Sequence, residues 1–213
     1  MLYDLEAPTF SYLSLEEIDV GLSDIDWTER ILFVNDNSDA LVVLEEVEDT
    51  VLYDTLGTYT VTIKATDASM NETLNTFDVL VSDLSAPVIT LNGGAMTIEV
   101  GNPYIELGAT YTDNYDSPGD CIIGGDVVDT STIGVYQVSY TITDSSGNEA
   151  IDIGRTVTVV DTTAPVITLN GDATVYIEIG DAYTELGATY IDNLDASGNA
   201  IISGDTVDTY TLG

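Results

Sequence analysis

The sequence has no histidine, one cysteine and three cationic side chains, set against 38 acidic ones, for a formal charge of −35. Without histidine the chain lacks both the commonest general base and the commonest zinc ligand. Its single thiol, Cys121, closes no intrachain disulfide and offers a metal no second sulfur. Three cations cannot neutralise a run of phosphates, which excludes nucleic-acid binding, and they disfavour docking on anionic membranes. No stretch approaches the ~20 apolar residues that cross a bilayer, so no membrane insertion is expected in this segment. The start, Met1-Leu2-Tyr3-Asp4, has neither the basic region nor the apolar core of a secretion signal. Taken alone, that start reads as cytoplasmic.

What is present points elsewhere. Hydrophobic residues make up 44% of the chain, with Val, Ile, Thr and Tyr prominent, whereas disordered acidic chains are poor in such residues. The chain therefore folds and carries its negative charge outside. Two signatures recur in phase. Asp4-Leu5-Glu6-Ala7-Pro8 returns as Asp83-Leu84-Ser85-Ala86-Pro87 and as Asp161-Thr162-Thr163-Ala164-Pro165, the prolines standing 79 and 78 residues apart. Asp36-Asn37-Ser38-Asp39 returns as Asp113-Asn114-Tyr115-Asp116 and as Asp192-Asn193-Leu194-Asp195, spaced by 77 and 79. A fixed period of this length marks a tandem array. Three modules follow, at residues 4–83, 84–161 and 162–213. Gly213 aligns with Gly134, so the third is incomplete and lacks the last two strands. The array implies that both ends are cut from something longer, and short joints holding a proline should be fairly stiff.

Within a module the pattern is that of strands. Tyr59, Val61, Ile63 and Ala65 alternate with Thr58, Thr60, Thr62 and Lys64, and Tyr136, Val138, Tyr140 and Ile142 repeat the alternation. Such period-2 patterning is that of strands with one buried and one wet face. Strands are also expected at Thr9–Leu13, Ala40–Val47, Thr76–Val81, Val88–Leu91 and Thr156–Val160, with turns at Asn92-Gly93 and at Asp144–Glu149. No helical periodicity appears. About seven short strands in roughly 78 residues suggest a β-sandwich with Greek-key wiring. Gly57-Thr58-Tyr59 and Gly134-Val135-Tyr136 place a tyrosine where such sandwiches carry their tyrosine corner.

The run Ala-Pro-Val-Ile-Thr-Leu-Asn-Gly, then Glu-Leu-Gly-Ala-Thr-Tyr-x-Asp-Asn-x-Asp, then Gly-x-Tyr-x-Val-x-Tyr-x-Ile-Thr-Asp-x-x-Gly-Asn-Glu-Ala resembles the tandem bacterial immunoglobulin-like modules of surface and secreted proteins. A relative of that module occurs in an insecticidal crystal toxin, and it is similar to hyalin-type repeats. The first module departs from the pattern, with Trp27-Thr28-Glu29-Arg30 in place of Leu-Gly-Ala-Thr and Met70 at the turn glycine. The resemblance implies an all-β protein of tandem immunoglobulin-like sandwiches arranged as an elongated array. It also implies an extracellular or cell-surface location and a non-catalytic spacer, adhesin-stalk, filament or surface-layer role, with neighbouring modules of the same or another chain as partners. The same module accompanies polysaccharide-degrading enzymes. A glycan- or protein-binding accessory module is therefore the rival reading, though the same loop used three times favours spacing over a binding tip.

In such a sandwich the entering chain and two of the loops lie at one end. Carboxylates and amides should therefore gather there: Asp4, Asp36, Asn37, Asp39, Asp67 and Asn71 in the first module, and Asp83, Asp113, Asn114, Asp116, Asp144 and Asn148 in the second. In the third they are Asp161, Asp192, Asn193 and Asp195. Ca²⁺ takes about six to eight oxygen ligands of these kinds, and crowded carboxylates repel unless a cation lies among them. The same residues also serve as formers of Asx turns, and an acidic surface aids solubility in salty water. No full EF-hand spacing is present. Lys64 faces outward and reads as a surface residue rather than a crosslinker, and Cys121 reads as a small buried apolar group. Tyr104, Tyr111, Tyr183 and Tyr190 read as packing residues rather than a sugar platform.

Overall fold

The computed structural model describes residues 4–12, 16–23, 25–37 and 41–211. Asp39, and the strand ends assigned to Leu13 and Ala40, lie outside them. The first repeat contributes β1 (Thr9–Tyr12), β2 (Glu16–Asp19), β3 (Ile31–Asn35), β4 (Val43–Asp49), β5 (Gly57–Thr66) and β6 (Glu72–Ser82). The second contributes β7 (Val88–Leu91), β8 (Met96–Glu99), β9 (Ala109–Thr112), β10 (Gly119–Asp120), β11 (Ile122–Gly125), β12 (Gly134–Thr141) and β13 (Ile153–Val160). The third contributes β14 (Val166–Leu169), β15 (Ala188–Ile191) and β16 (Gly198–Asn199). By internal contacts the chain divides into two compact units. One runs to Thr90 and adds Ala109–Ile122 and Tyr140–Asp152; the other holds Leu91–Gly108, Ile123–Ser139 and the residues from Ile153 on.

The first repeat is a β-sandwich. Its smaller sheet pairs β1 with β3, and the larger runs β2-β6-β5-β4. β5 and β6 are antiparallel, from Gly57 opposite Val81 to Thr66 opposite Glu72, whereas β2 lies parallel to β6. The alternation of β5 does what its sequence requires: Val61, Ile63 and Ala65 are fully buried and meet Phe77, Val79 and Val81 of β6 in one core. Tyr12 of β1 stacks at 4.8 Å on Phe77, and Trp27 meets Phe77 edge-on at 5.9 Å. Trp27 opens a single 3-10 turn, Trp27–Arg30, capped by the Asp26 carboxylate, which accepts from the Thr28 N–H at 2.9 Å. Its indole N–H donates to Asp49 and to the Tyr53 hydroxyl, so the polar edge of the buried ring is satisfied. Burial, and then Asp49, push the Tyr53 hydroxyl up to about 12.

Three strands are longer or later than their patterns suggest, among them β13, which starts at Ile153 rather than Thr156. The strand expected at Ala40–Val47 is β4, Val43–Asp49, so Glu45, Glu46 and Glu48 lie inside it, all three exposed. The strand expected at Thr76–Val81 extends back to Glu72, because the whole of β5 is available for pairing. Lys64 is indeed on the wet face, 2.8 Å from Glu45.

In the second repeat β7, β9 and β10 form one sheet and β11-β12-β13-β8 another, with β8 parallel to β13. Val138, Tyr140, Val157 and Val159 are buried. Cys121 is buried just before β11, and burial raises its thiol. Both tyrosine corners close. The Tyr59 hydroxyl donates to the Thr55 carbonyl at 2.9 Å, and the Tyr136 hydroxyl to those of Thr132 at 3.0 Å and Asp129 at 2.9 Å. The turn before the closing strand needs a left-handed residue. Gly147 supplies it at φ 97°, and Met70 holds the same conformation at φ 69° in the first repeat, where a Cβ is strained. The third repeat keeps the sheet β14-β15-β16.

Candidate metal centres at the repeat joints

The second and third Asp-Asn-x-Asp loops are built by their first aspartate. Asp113 Oδ2 accepts the N–H groups of Tyr115 and Asp116, both at 2.9 Å, and Asp192 Oδ2 accepts those of Leu194 at 3.1 Å and Asp195 at 3.0 Å. This is an Asx turn, and it occupies one carboxylate oxygen. The other oxygen, Oδ1 of Asp113 and of Asp192, is buried without a hydrogen-bond partner. The second loop is built likewise. Asp144 accepts from the backbone and side chain of Asn148, both at 2.8 Å, and Asp67 from those of Asn71 at 2.8 and 2.7 Å. The same amides tie the entering chain: Asn148 donates to the Asp83 carbonyl at 3.0 Å and Asn71 to the Asp4 carbonyl at 3.3 Å.

The loops thereby bring three carboxylates together twice. Asp4, Asp36 and Asp67 each place an oxygen within 4.8 Å of the others, and so do Asp83, Asp113 and Asp144. Asp83 is 5% exposed and neither of its oxygens has a hydrogen-bond partner. Burial raises its pKa, as do the charges of Asp113 and Asp144; the nearby Ser146 hydroxyl offsets part of this. Burial also pulls Asp144 and Asp67 upward, but their hydrogen bonds outweigh it and hold both below the usual range. At the third joint burial, and then Asp192 and Glu99, raise Asp161.

The remaining candidates surround these clusters. Asp116 accepts from the Ser145 N–H at 2.6 Å and hydroxyl at 2.8 Å, joining the two loops. The Asn37 amide donates to Glu6 at 2.9 Å. Asn114 and Asn193 turn their amide N–H groups toward the preceding repeat. Asn114 donates to Asp19 at 3.1 Å and to the Val20 carbonyl at 2.9 Å; Asn193 donates to Glu99 at 3.0 Å and to the Val100 carbonyl at 3.4 Å. Asp195 lies in the Asx turn that Asp192 caps.

Asp19 and Glu99 were missed in the sequence, and they organise the joints. Asp19 accepts from the Leu84 N–H at 2.9 Å and from the Ser85 hydroxyl. Glu99 accepts from the N–H and hydroxyl groups of both Thr162 and Thr163, between 2.7 and 3.1 Å. The Thr163 and Thr162 hydroxyls, then the Thr162 N–H, hold Glu99 far below the usual carboxylate range. The signal was present: an acid recurs at Asp19, Glu99 and Glu178, just before the last apolar residue and glycine of each short run.

All the oxygens in the two triads are hard donors, and several are buried and unsatisfied. Such a set fits a hard divalent cation of the calcium type, which would satisfy the two buried oxygens of Asp83 and Oδ1 of Asp113.

A family described as "Bacterial surface protein, Ig-like domain" matches residues 89–159 and 167–213. A serine-rich adhesin for platelets from Staphylococcus aureus is 31% identical over 162 residues, spanning 68% of this chain. Hyalin from Strongylocentrotus purpuratus is 30% identical over 158 residues, also 68% of this chain. The matched stretch is 6% of the adhesin and 13% of hyalin, a small fraction of either relative. Among solved structures, human protocadherin-24 EC1-2 aligns over 74% of this chain and 100% of its own length, at 15% identity and a TM-score of 0.34.

Proposed function

Since the chain belongs to the bacterial surface immunoglobulin-like family and has its place at the cell surface, we propose that it is a non-catalytic spacer whose joints are stiffened by Ca²⁺. The domains in this reading are residues 4–83, 84–161 and 162–213. The observation that carries it is the joint wiring, made twice from the same parts. An acid at the end of β2 or β8 receives the linker backbone and the loop asparagine of the next repeat: Asp19 takes Leu84 and Asn114, and Glu99 takes Thr162, Thr163 and Asn193. In this reading those bonds hold successive repeats in a fixed register. A binding tip has no need to repeat such a device at every joint.

Asp4, Asp36 and Asp67 would hold one ion, and Asp83, Asp113 and Asp144 another. A bound Ca²⁺ supplies the positive charge that cancels carboxylate repulsion. In this chain Asp83 takes part from the linker and Asp113 and Asp144 from the two loops, so neutralising the cluster links joint to sandwich. At extracellular-type affinities on the order of 10⁻⁴–10⁻³ M, millimolar Ca²⁺ should stabilise the folded chain by RT ln(1 + [L]/Kd) per site and so raise its melting temperature. Mg²⁺ should do less, since it wants a tighter octahedron and keeps its waters.

Asp83→Asn gives the sharpest test. Its folded pKa is raised, so at neutral pH the charged form costs stability; that cost is absent below the unfolded pKa and grows as pH rises through the folded one. In chelator at pH 7 the variant should therefore melt at or above the parent. With Ca²⁺ it should melt below the parent. Superimposable parent curves in Ca²⁺ and chelator, at constant ionic strength, would reduce the triads to turn formers. Saturable sugar binding by the chain on a glycan array would favour the accessory-module reading.

A further inference from the structure

Asp19, the last residue of β2, lies outside the triad of Asp83, Asp113 and Asp144 but holds the chain neighbours of two of its members. Its Oδ1 accepts from the Leu84 N–H at 2.9 Å and from the Asn114 amide at 3.1 Å, and its Oδ2 accepts from the Ser85 hydroxyl. Leu84 follows Asp83 in the chain, and Asn114 follows Asp113. Both oxygens of Asp19 are engaged in this way, so its route to the triad runs through those neighbours.

Asp83 depends on this grip more than the other two acids do. Asp113 is fixed by its own Asx turn, and Asp144 by Asn148. Asp83 is buried and neither of its carboxylate oxygens has a hydrogen-bond partner. Its place is set by the bonds on either side of it. Before it, Ser82 O accepts from the Val20 N–H at 2.8 Å, and the Ser82 hydroxyl donates to Glu17 at 2.8 Å. After it, Leu84 and Ser85 are held by Asp19. Those partners belong to the first repeat, whereas Asp113 and Asp144 belong to the second. A buried carboxylate is thus held by one repeat and delivered to a site in the next.

The wiring recurs one joint on. Glu99 accepts from Thr162, which follows Asp161, and from Asn193, which follows Asp192. The acid is one methylene longer there, so the shared feature is reach to the residues that follow the two aspartates.

We propose that Asp19 is a positioning residue for an ion at Asp83, Asp113 and Asp144, which makes calcium affinity and the grip of β2 on the linker one coupled equilibrium. This rests on the calcium reading above. Without the grip, Asp83 and Asp113 must be ordered at the moment of binding. By reciprocity, a bound ion tightens the grip by the same factor.

Calcium titration of the whole chain, followed by amide hydrogen exchange, reads the sites separately. Residues 113–116 and 144–148 report the ion at Asp83, and residues 67–71 the ion at Asp4, Asp36 and Asp67. Asp19→Ala should move half-saturation of the former to Ca²⁺ concentrations about 10–100-fold higher, as loss of an outer partner does in metal sites, and leave the latter in place. Asp19→Glu should recover most of the loss, since Glu99 makes the equivalent bonds at the next joint. Ser85→Ala, which removes one of the three bonds and alters no acid, should shift the same site by less. In the parent, saturating Ca²⁺ should slow exchange of the Leu84 N–H.

Unchanged half-saturation at 113–116 in Asp19→Ala would overturn the proposal. So would an equal shift at both sites, which would mean a general loss of folding. Where Asp19→Ala loses the protection of β5, Ser85→Ala decides, and no shift there overturns the proposal. A parent without calcium-dependent exchange at either site would sink the calcium reading and this proposal with it; a parent that responds, with Asp19→Ala responding identically, would sink the coupling alone.

Discussion

At one point of the sandwich the first and second repeats make opposite choices. The parallel pairings place Val79 opposite Glu16 and Val157 opposite Met96, so Phe77 and Arg155 are equivalent. The first repeat fills the position with Phe77 against Trp27. The second fills it with an ion pair, Arg155 with Glu106, whose cation is fully enclosed and whose acid stays 23% exposed. Both bury the position, but they differ in what a loss would cost. An apolar contact removed leaves a cavity. Half of a buried ion pair removed leaves a charge without a partner, whereas removing both halves together is often neutral. The third repeat carries the same acid at Glu185, which accepts from the Gly187 N–H and the Tyr183 hydroxyl.

The largest effect should come from breaking the pair. Arg155→Ala should destabilise the second repeat by about 3–5 kcal/mol, read by amide exchange at Val157 and Val159. Arg155→Met with Glu106→Leu should recover most of that loss. If the double variant is no better than the single, the pair is not the equivalent of Phe77 and Trp27. The sole tryptophan, Trp27, should report an unchanged first repeat throughout, which separates the two regions within one sample.

A smaller effect should separate the second repeat from the third. Val100 is 4% exposed and its counterpart Ile179 is 57% exposed. Val100→Ala should cost about 2 kcal/mol, read by exchange in β13. Ile179→Ala, the larger truncation, should change global stability by less than about 0.5 kcal/mol. Equal losses would mean that the third repeat buries this position in solution.

The smallest effect concerns the turn that the first two repeats share. Met70→Gly removes a left-handed side chain and should stabilise the first repeat by up to about 1 kcal/mol, and Gly147→Ala should cost the second about the same. Urea unfolding followed at Trp27 measures the former. A destabilising Met70→Gly would show that the exposed Met70 side chain contributes more than its backbone conformation costs.

The parts legible in the sequence were those written in local periodicity. The alternation of β5 and β12, the two tyrosine corners and the Asx loops each depend on residues close in the chain. The acidic triads were also foreseeable, because the period superposed three loops that a single repeat would have left ambiguous. What escaped was pairing at a distance. Arg155 is the one charged residue of β13, and nothing nearby announces Glu106, 49 positions earlier. Asp19 and Glu99 escaped because their partners belong to the next repeat. The expected β4 began too early because its end is set by the length of β5. The clearest case is residues 96–99 against 175–178: comparable sequences, one a strand and one not, because only one has β13 beside it.

The parallel pairing of β2 with β6, and of β8 with β13, has a mechanical consequence. Each pairs a strand near the start of a repeat with the strand at its end. A pull on the two ends of a repeat drives those strands in opposite directions along their own length. The ladder bonds are then loaded together rather than opened one after another, so the pair yields only when all of them fail at once. The clamps at Asp19 and Glu99 lie at the ends of these same strands, so tension passing from one repeat to the next enters where resistance to sliding is greatest.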